Sequence, residues 1–291
     1  MCRRSPVRSV AGMTTFTETH LRSHRVSGGA GCRLYVEEAG NRDGPPVLFI
    51  HGISQSRLAW RRQLTSDLGR NLRLIAVDLR GHGRSDCPHD AYDEPFLWAD
   101  DIQAIIKELD LDQPILCGWS YGGIVIGDYL RCHGERALGG VVLVAAASRM
   151  GEPAMPFLGA DFVNLTPGLI SESVEESNTA LQTFVRMCTA TPMDAEDFYS
   201  VLGYNAAVPP HVRLSMMSRT VDHDDVFAHL EAPTLIVHGL ADPIVLPAMG
   251  QHQARLIPHA QTSYYPAIGH TPFREDQARF DAELLAFVEA H

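Results

Sequence analysis

Short, unbroken apolar runs alternate with longer amphipathic stretches along most of this chain, and that alternation restricts the fold more than any other feature. Val47-Leu48-Phe49-Ile50, Leu74-Ile75-Ala76-Val77, Ile115-Leu116-Cys117, Val141-Val142-Leu143-Val144 and Thr234-Leu235-Ile236-Val237 have the length and β-branched content of strands buried on both faces. Leu34-Tyr35-Val36 and Ser263-Tyr264-Tyr265 read as further strands. Helical periods lie between them: Phe96 to Leu109, Tyr121 to Cys132, Met249 to Leu256 and Asp276 to Val288. Parallel strands require crossovers of this kind, so the pattern predicts an α/β domain, a mostly parallel sheet flanked by helices.

The rhythm stops between Arg149 and Glu231. Prolines are scattered there (Pro153, Pro156, Pro167, Pro192, Pro209, Pro210), helical stretches are short and no clean strand is visible. A structureless stretch of this length does not fit a compact domain. Residues 149–231 are therefore expected to form a helical cap inserted into a core of residues 19–148 and 232–291. Residues 1–18 begin Arg-rich without an apolar h-region, which predicts a disordered leader and no secretory signal. Met13 is an alternative start to Met1.

Charge excludes several functions. Asp and Glu number 35 against 24 Lys and Arg, a net charge of -11, which is the wrong sign for a nucleic-acid or anionic-membrane binder. No apolar run reaches the ~18 residues of a spanning helix. The six cysteines include no C-x-x-C pair, so the thiols are expected to be reduced and the location cytoplasmic.

Chemistry concentrates at Gly118-Trp119-Ser120-Tyr121-Gly122, a G-x-S-x-G between an expected strand and an expected helix. A serine at the apex of such a turn needs small neighbours, and the following helix aims its N-terminal N–H groups at developing negative charge. A Gly-rich turn with an incidental serine is the plainer reading, and its position after Ile115-Leu116-Cys117 argues against it. His270 is the candidate base, since it follows the last strand in a loop at the sheet's carboxyl edge, where open α/β sheets place ligands. Asp242 in His238-Gly239-Leu240-Ala241-Asp242-Pro243 is the candidate acid that would fix the imidazole tautomer. By itself Asp242 would pass for a turn former before proline. The order Ser120, Asp242, His270, each after a strand, makes the set catalytic. The oxyanion hole is assigned to the backbone N–H groups of Ile53 and Tyr121. Trp119, next to the nucleophile, is assigned to substrate binding. Activity is expected to rise with pH as His270 loses its proton.

With these residues in place, the chain resembles α/β-hydrolase-fold enzymes of the branch holding small esterases, lactonases and cofactor-free haloperoxidases or perhydrolases. The resemblance is carried by His51-Gly52, the run from Asp78 to Asp86, Gly118 to Gly123, Asp242 and Gly269-His270, and spans about Arg33 to Glu289. It implies an α/β-hydrolase fold with an inserted helical cap, and it makes the Asp78–Asp86 run a brace beside the site, with His82 and Asp86 not catalytic. Serine at position 120 argues against the aspartate-dependent dehalogenases and epoxide hydrolases of this fold.

The expected activity is a serine hydrolase cleaving carboxylic esters or lactones of neutral, largely apolar substrates through an acyl-enzyme on Ser120. No cofactor and no metal are expected. Asp222-His223-Asp224-Asp225 reads as a solvated turn capping a helix. The partner is a small ester or lactone, neither nucleic acid nor membrane, and a homo-oligomer is left open. A carbon–carbon bond hydrolase is one alternative, disfavoured by Thr271-Pro272 after the histidine. A cofactor-independent dioxygenase using His270 and Asp242 is the other. Residues 149–231 carry 12 acids and four arginines, a net of -8, so a negative field at the cleft is expected to disfavour anionic substrates.

Overall fold

The computed structural model describes residues 21–291. The expected leader and Met13 lie outside the described residues. The chain enters through β1 (Arg22–Ser27), β2 (Arg33–Gly40) and β3 (Pro46–Ile50), then α1 (Arg61–Leu64), β4 (Arg73–Asp78) and α2 (Pro95–Glu108). It continues through β5 (Ile115–Trp119), α3 (Tyr121–His133) and β6 (Gly140–Val144). A long excursion follows: β7 (Arg149–Met150), α4 (Ala160–Leu169), α5 (Val174–Met187), α6 (Ala195–Ala206), α7 (Pro210–Ser218), β8 (Val221–Asp222) and α8 (Asp224–Ala228). The sheet resumes with β9 (Thr234–Gly239), α9 (Pro247–Leu256), β10 (Gln261–Tyr265), α10 (Pro272–Glu275) and α11 (Gln277–Glu289).

Eight strands form one sheet in the order β1-β2-β4-β3-β5-β6-β9-β10. The pairs β1–β2 and β2–β4 are antiparallel and the rest parallel. Sequence reading missed β1 because only Val26 of its six residues is buried. Helix α2 starts at Pro95, where proline's fixed φ and missing N–H fit the first helical position.

Side chains alternate between two cores. Leu48 and Ile50 join Leu116, Trp98 and Ile124 on one face, while Val47 and Phe49 join Cys117, Trp60 and Phe280 on the other. Period-2 alternation thus divides each central strand between layers, as a sheet covered on both faces requires. The first core continues into the excursion through Phe162, Phe184 and Met216.

The excursion is helical, with one departure from expectation: β7 and β8 pair antiparallel over two residues, drawing its two ends together. Local chemistry starts its helices. Ser173 Oγ accepts from Glu176 N at the head of α5, and Asp194 Oδ1 accepts from Asp197 N at 2.8 Å at the head of α6. Buried Arg213 on α7 donates Nε to Leu169 O, a carbonyl left over at the end of α4, and Nη2 to Ser177 Oγ on α5. One guanidinium, its charge disfavoured by burial, thereby joins three helices.

Candidate active site

Strand β5 ends in the elbow. Ser120 sits at φ 55°, ψ -117°, the strained turn expected of a residue lifted from strand into helix. Neighbouring chain leaves no room there. A Cβ on Gly122 would stand 2.5 Å from Ile50 O, and one on Gly52 would stand 2.9 Å from Ser120 Cβ. The backbone is fixed by Ser120 N donating to Val144 O at 3.1 Å and Ala147 N donating to Ser120 O at 2.9 Å.

Asp242 follows β9, and His270 follows β10. His270 Nδ1 donates to Asp242 Oδ2 at 2.6 Å, and both side chains are buried. Asp242 Oδ1 accepts from Ile244 N at 2.8 Å and Val245 N at 3.1 Å, while His238 Nε2 lies 3.4 Å from Oδ2. Burial works against the ionised carboxyl, but the His270 charge and the bonds from His238 and His270 hold it below the usual carboxylate range. The imidazole tautomer is thereby set, with Nε2 left for other partners. Among the described residues, no hydrogen bond joins that nitrogen to Ser120 Oγ.

The amides of Ile53 and Tyr121 donate to no acceptor among the described residues, and both residues border the cavity onto which Ser120 opens. His51 locks the loop that carries Ile53. Its Nδ1 donates to Gly52 O at 2.7 Å, and its Nε2 accepts from Leu79 N at 3.0 Å. Burial pushes this imidazole down to about 4, so it stays neutral.

The cavity holds about 300 Å³ beneath the excursion. Its walls are mostly apolar, with Met150, Met155, Phe162 and Met217 among them. Met155 and Leu214 are the exposed apolar residues at its rim. Phe184 and Met216 are core instead. Among the described residues no carboxylate lines the cavity, and the one charged residue that does, Arg149, is paired with Asp222 and Asp224. The expected acidic cleft is therefore not formed by the cavity walls.

Trp119 is a correction. Its side chain faces the opposite core from the cavity, where Nε1 donates to His270 O at 2.8 Å. Strand alternation explains this: Trp119 shares a face with Cys117, one step out of phase with the elbow. The Asp222–Asp225 cluster does open helix α8, with Asp222 and Asp225 exposed and Asp222 Oδ1 accepting from Asp224 N at 2.9 Å, but it is not solvated throughout. His223 is buried against Asp128 at 3.1 Å, Asp224 binds Arg149 and His252, and Asp225 pairs with Arg131 at 2.6 Å. The Asp78 loop does brace: Asp78 accepts from Arg57 N and Nη1 and from Arg84 N, and Arg80 grips Asp101 with two bonds of 2.7 Å.

Sequence reading missed the link between Tyr121 and the excursion. Arg219 Nη1 donates to Tyr121 Oη at 2.8 Å and Nη2 donates to both oxygens of Asp128. All three side chains are buried. Asp128 lies two turns after Tyr121, so a carboxylate on the buried face of α3 was the available signal.

The described residues contain no helix long and apolar enough to cross a membrane. Comparison with known proteins agrees with the geometry. The crystal structure of an esterase from Rhodococcus sp. ECU1013 superposes with a TM-score of 0.88 at 37% identity, over 92% of this chain and 98% of that one. A non-heme chloroperoxidase of Kitasatospora aureofaciens is 28% identical over 89% of this chain and 96% of its own length. A bifunctional esterase/perhydrolase of Acinetobacter calcoaceticus is 26% identical over 89% and 97%. The sequence profile of the Alpha/beta hydrolase family matches residues 47–283. Fold, elbow and profile coincide, and the chain belongs to the alpha/beta hydrolase family.

Proposed function

We propose that this chain is a carboxylic ester hydrolase that forms an acyl-enzyme on Ser120, with small neutral esters and lactones as substrates and residues 149–231 as the cap over the site. The observation carrying this reading is the 2.6 Å bond from His270 Nδ1 to an ionised Asp242, at the sheet edge where a strained Ser120 opens on an apolar cavity. The names of the esterase and the esterase/perhydrolase relatives support the ester class.

In this reading substrate binding closes Ser120 onto His270, since catalytic hydrogen bonds tighten in the substrate complex. His270 Nε2 takes the Ser120 proton as Oγ attacks the carbonyl carbon, and Asp242 stabilises the imidazolium. The Ile53 and Tyr121 amides hold the oxyanion. His270 passes the proton to the leaving alcohol, then draws one from the water that releases the acid. Hydrogen peroxide in place of water would release a peracid instead.

A panel of p-nitrophenyl esters with aliphatic and aromatic lactones, run on wild type and Ser120→Ala, tests this. The variant is expected to lose about 10⁴-fold or more in kcat. Substantial turnover surviving in the variant would move the chemistry to the His270–Asp242 pair and overturn the acyl-enzyme.

A further inference from the structure

We propose that Glu275 is a positioning residue that fastens the His270 loop to the connector between α5 and α6, so that the excursion sets where the imidazole stands. This rests on the reading of His270 as the base. One oxygen of the carboxylate faces the loop: Oε1 accepts from Gly269 N at 2.9 Å and lies 3.5 Å from Thr271 Oγ1. The other faces the connector: Oε2 accepts from Ala190 N at 2.8 Å and Thr191 N at 3.2 Å. The residues on both sides of His270 therefore share one carboxylate with the connector.

A second link runs through the end of α5. Cys188 O accepts from His270 N at 3.0 Å and from Thr271 Oγ1 at 3.2 Å. Contact at Gly269 is tight enough that a Cβ there would stand 2.7 Å from Ala190 N. The sheet side contributes Asp242 through the ring and Trp119 through the carbonyl. The amide of His270 and the hydroxyl of Thr271 are held directly by the excursion, and the amide of Gly269 is tied to it through Glu275. Hydrogen bonds to an ionised acceptor are about twice as strong as neutral ones, which suits a carboxylate to this junction. Glutamine has the same size but only one acceptor oxygen, and its NH₂ would confront either the Gly269 amide or the pair of amides of Ala190 and Thr191.

The test compares wild type, Glu275→Gln and Arg274→Ala. The last breaks the neighbouring 3.0 Å ion pair to Asp197 on α6 without touching Gly269 or Thr271. Glu275→Gln is expected to lower kcat for p-nitrophenyl butyrate about 10- to 100-fold, as misplacement of a reacting group does. KM should stay within about twofold, since no cavity wall changes. The downfield proton resonance of His270 Nδ1 should shift or broaden. Arg274→Ala should lower Tm while leaving kcat and that resonance in place. Wild-type kcat and an unmoved resonance in Glu275→Gln would reduce Glu275 to a structural brace and overturn the proposal. Should Glu275→Gln fail to fold, Glu275→Asp, which keeps the charge and shortens the reach to Gly269, Ala190 and Thr191, carries the same comparison. The resonance reads His270 whether or not esters turn over, so a wild type inactive on esters defeats the functional reading separately.

Discussion

Trp119 Nε1 donates to the backbone carbonyl of His270 at 2.8 Å, with the two rings 5.4 Å apart between centroids. The residue before Ser120 thus holds the backbone of the proposed base. Trp119→Phe keeps a ring in the core and removes the donor. It is expected to lower stability by about 1–3 kcal/mol, from one hydrogen bond and a partly emptied site. In steady-state assays kcat should fall and KM hold, because the side chain does not line the cavity onto which Ser120 opens. A large rise in KM at constant kcat would return Trp119 to the substrate.

This error shows where the sequence stops being legible. Ser120, Asp242 and His270 each follow a strand, and strand ends can be read from apolar runs, so their convergence on one edge was foreseeable. The face of Trp119 was readable in principle from its phase with Cys117, but adjacency to Ser120 suggested the wrong one. Strand β1 was hidden because five of its six residues are not buried. Asp128 on the buried face of α3 signalled a missing partner, but which residue of the excursion supplies it was not legible. Asp128 and Arg219 are 91 positions apart, and no local periodicity joins them.

That pair supports the second prediction. Burial works against the Arg219 charge, but the attraction of Tyr121 and Asp128 holds its pKa above the usual value. Burial also pushes the Tyr121 phenol up to about 12, against the opposing pull of Arg219. Asp128→Asn leaves a buried guanidinium without its counter-charge, which typically costs about 3–5 kcal/mol. Urea denaturation should show a loss of this size. Replacing both partners with Asp128→Leu and Arg219→Met should recover much of it, because apolar residues of similar volume often replace a buried pair without loss. A double variant no more stable than Asp128→Asn would contradict this account.

The third prediction concerns acid. Burial pushes His51 down to about 4 and His82 down to about 3, the latter also through repulsion from His51. An unfolded imidazole titrates near ~6.5. Between these values the unfolded chain binds more protons, so the contribution of both histidines is fully present above about 6.5 and is lost as pH falls through the folded values. His82 Nδ1 donates to Arg80 O at 2.8 Å while Nε2 has no partner among the described residues. His82→Asn can replace the first bond and cannot acquire the charge. Unfolding free energies measured from neutral pH downward should therefore fall less steeply in the variant. Parallel curves would show that His82 does not sense acid in the folded protein.

Substrate charge supplies the last prediction. Four acidic residues of the excursion are held in ion pairs: Asp197 with Arg62 and Arg274, Asp225 with Arg131, and Asp222 and Asp224 with the cavity-bordering Arg149. Among the described residues no carboxylate forms a repulsive wall in the lining, so a bias against anions is expected to come from desolvation. A carboxylate entering an apolar cavity loses its hydration, and Arg149 is already engaged. A p-nitrophenyl butyrate should therefore exceed its ω-carboxylate counterpart in kcat/KM, with the ratio nearly unchanged by added salt. A field from distant acids would give a ratio that salt erodes, since exposed charges are screened within about 10 Å at 0.1 M. Faster turnover of the anionic ester, abolished by Arg149→Gln, would instead identify Arg149 as its counter-charge and reverse the preference for neutral substrates.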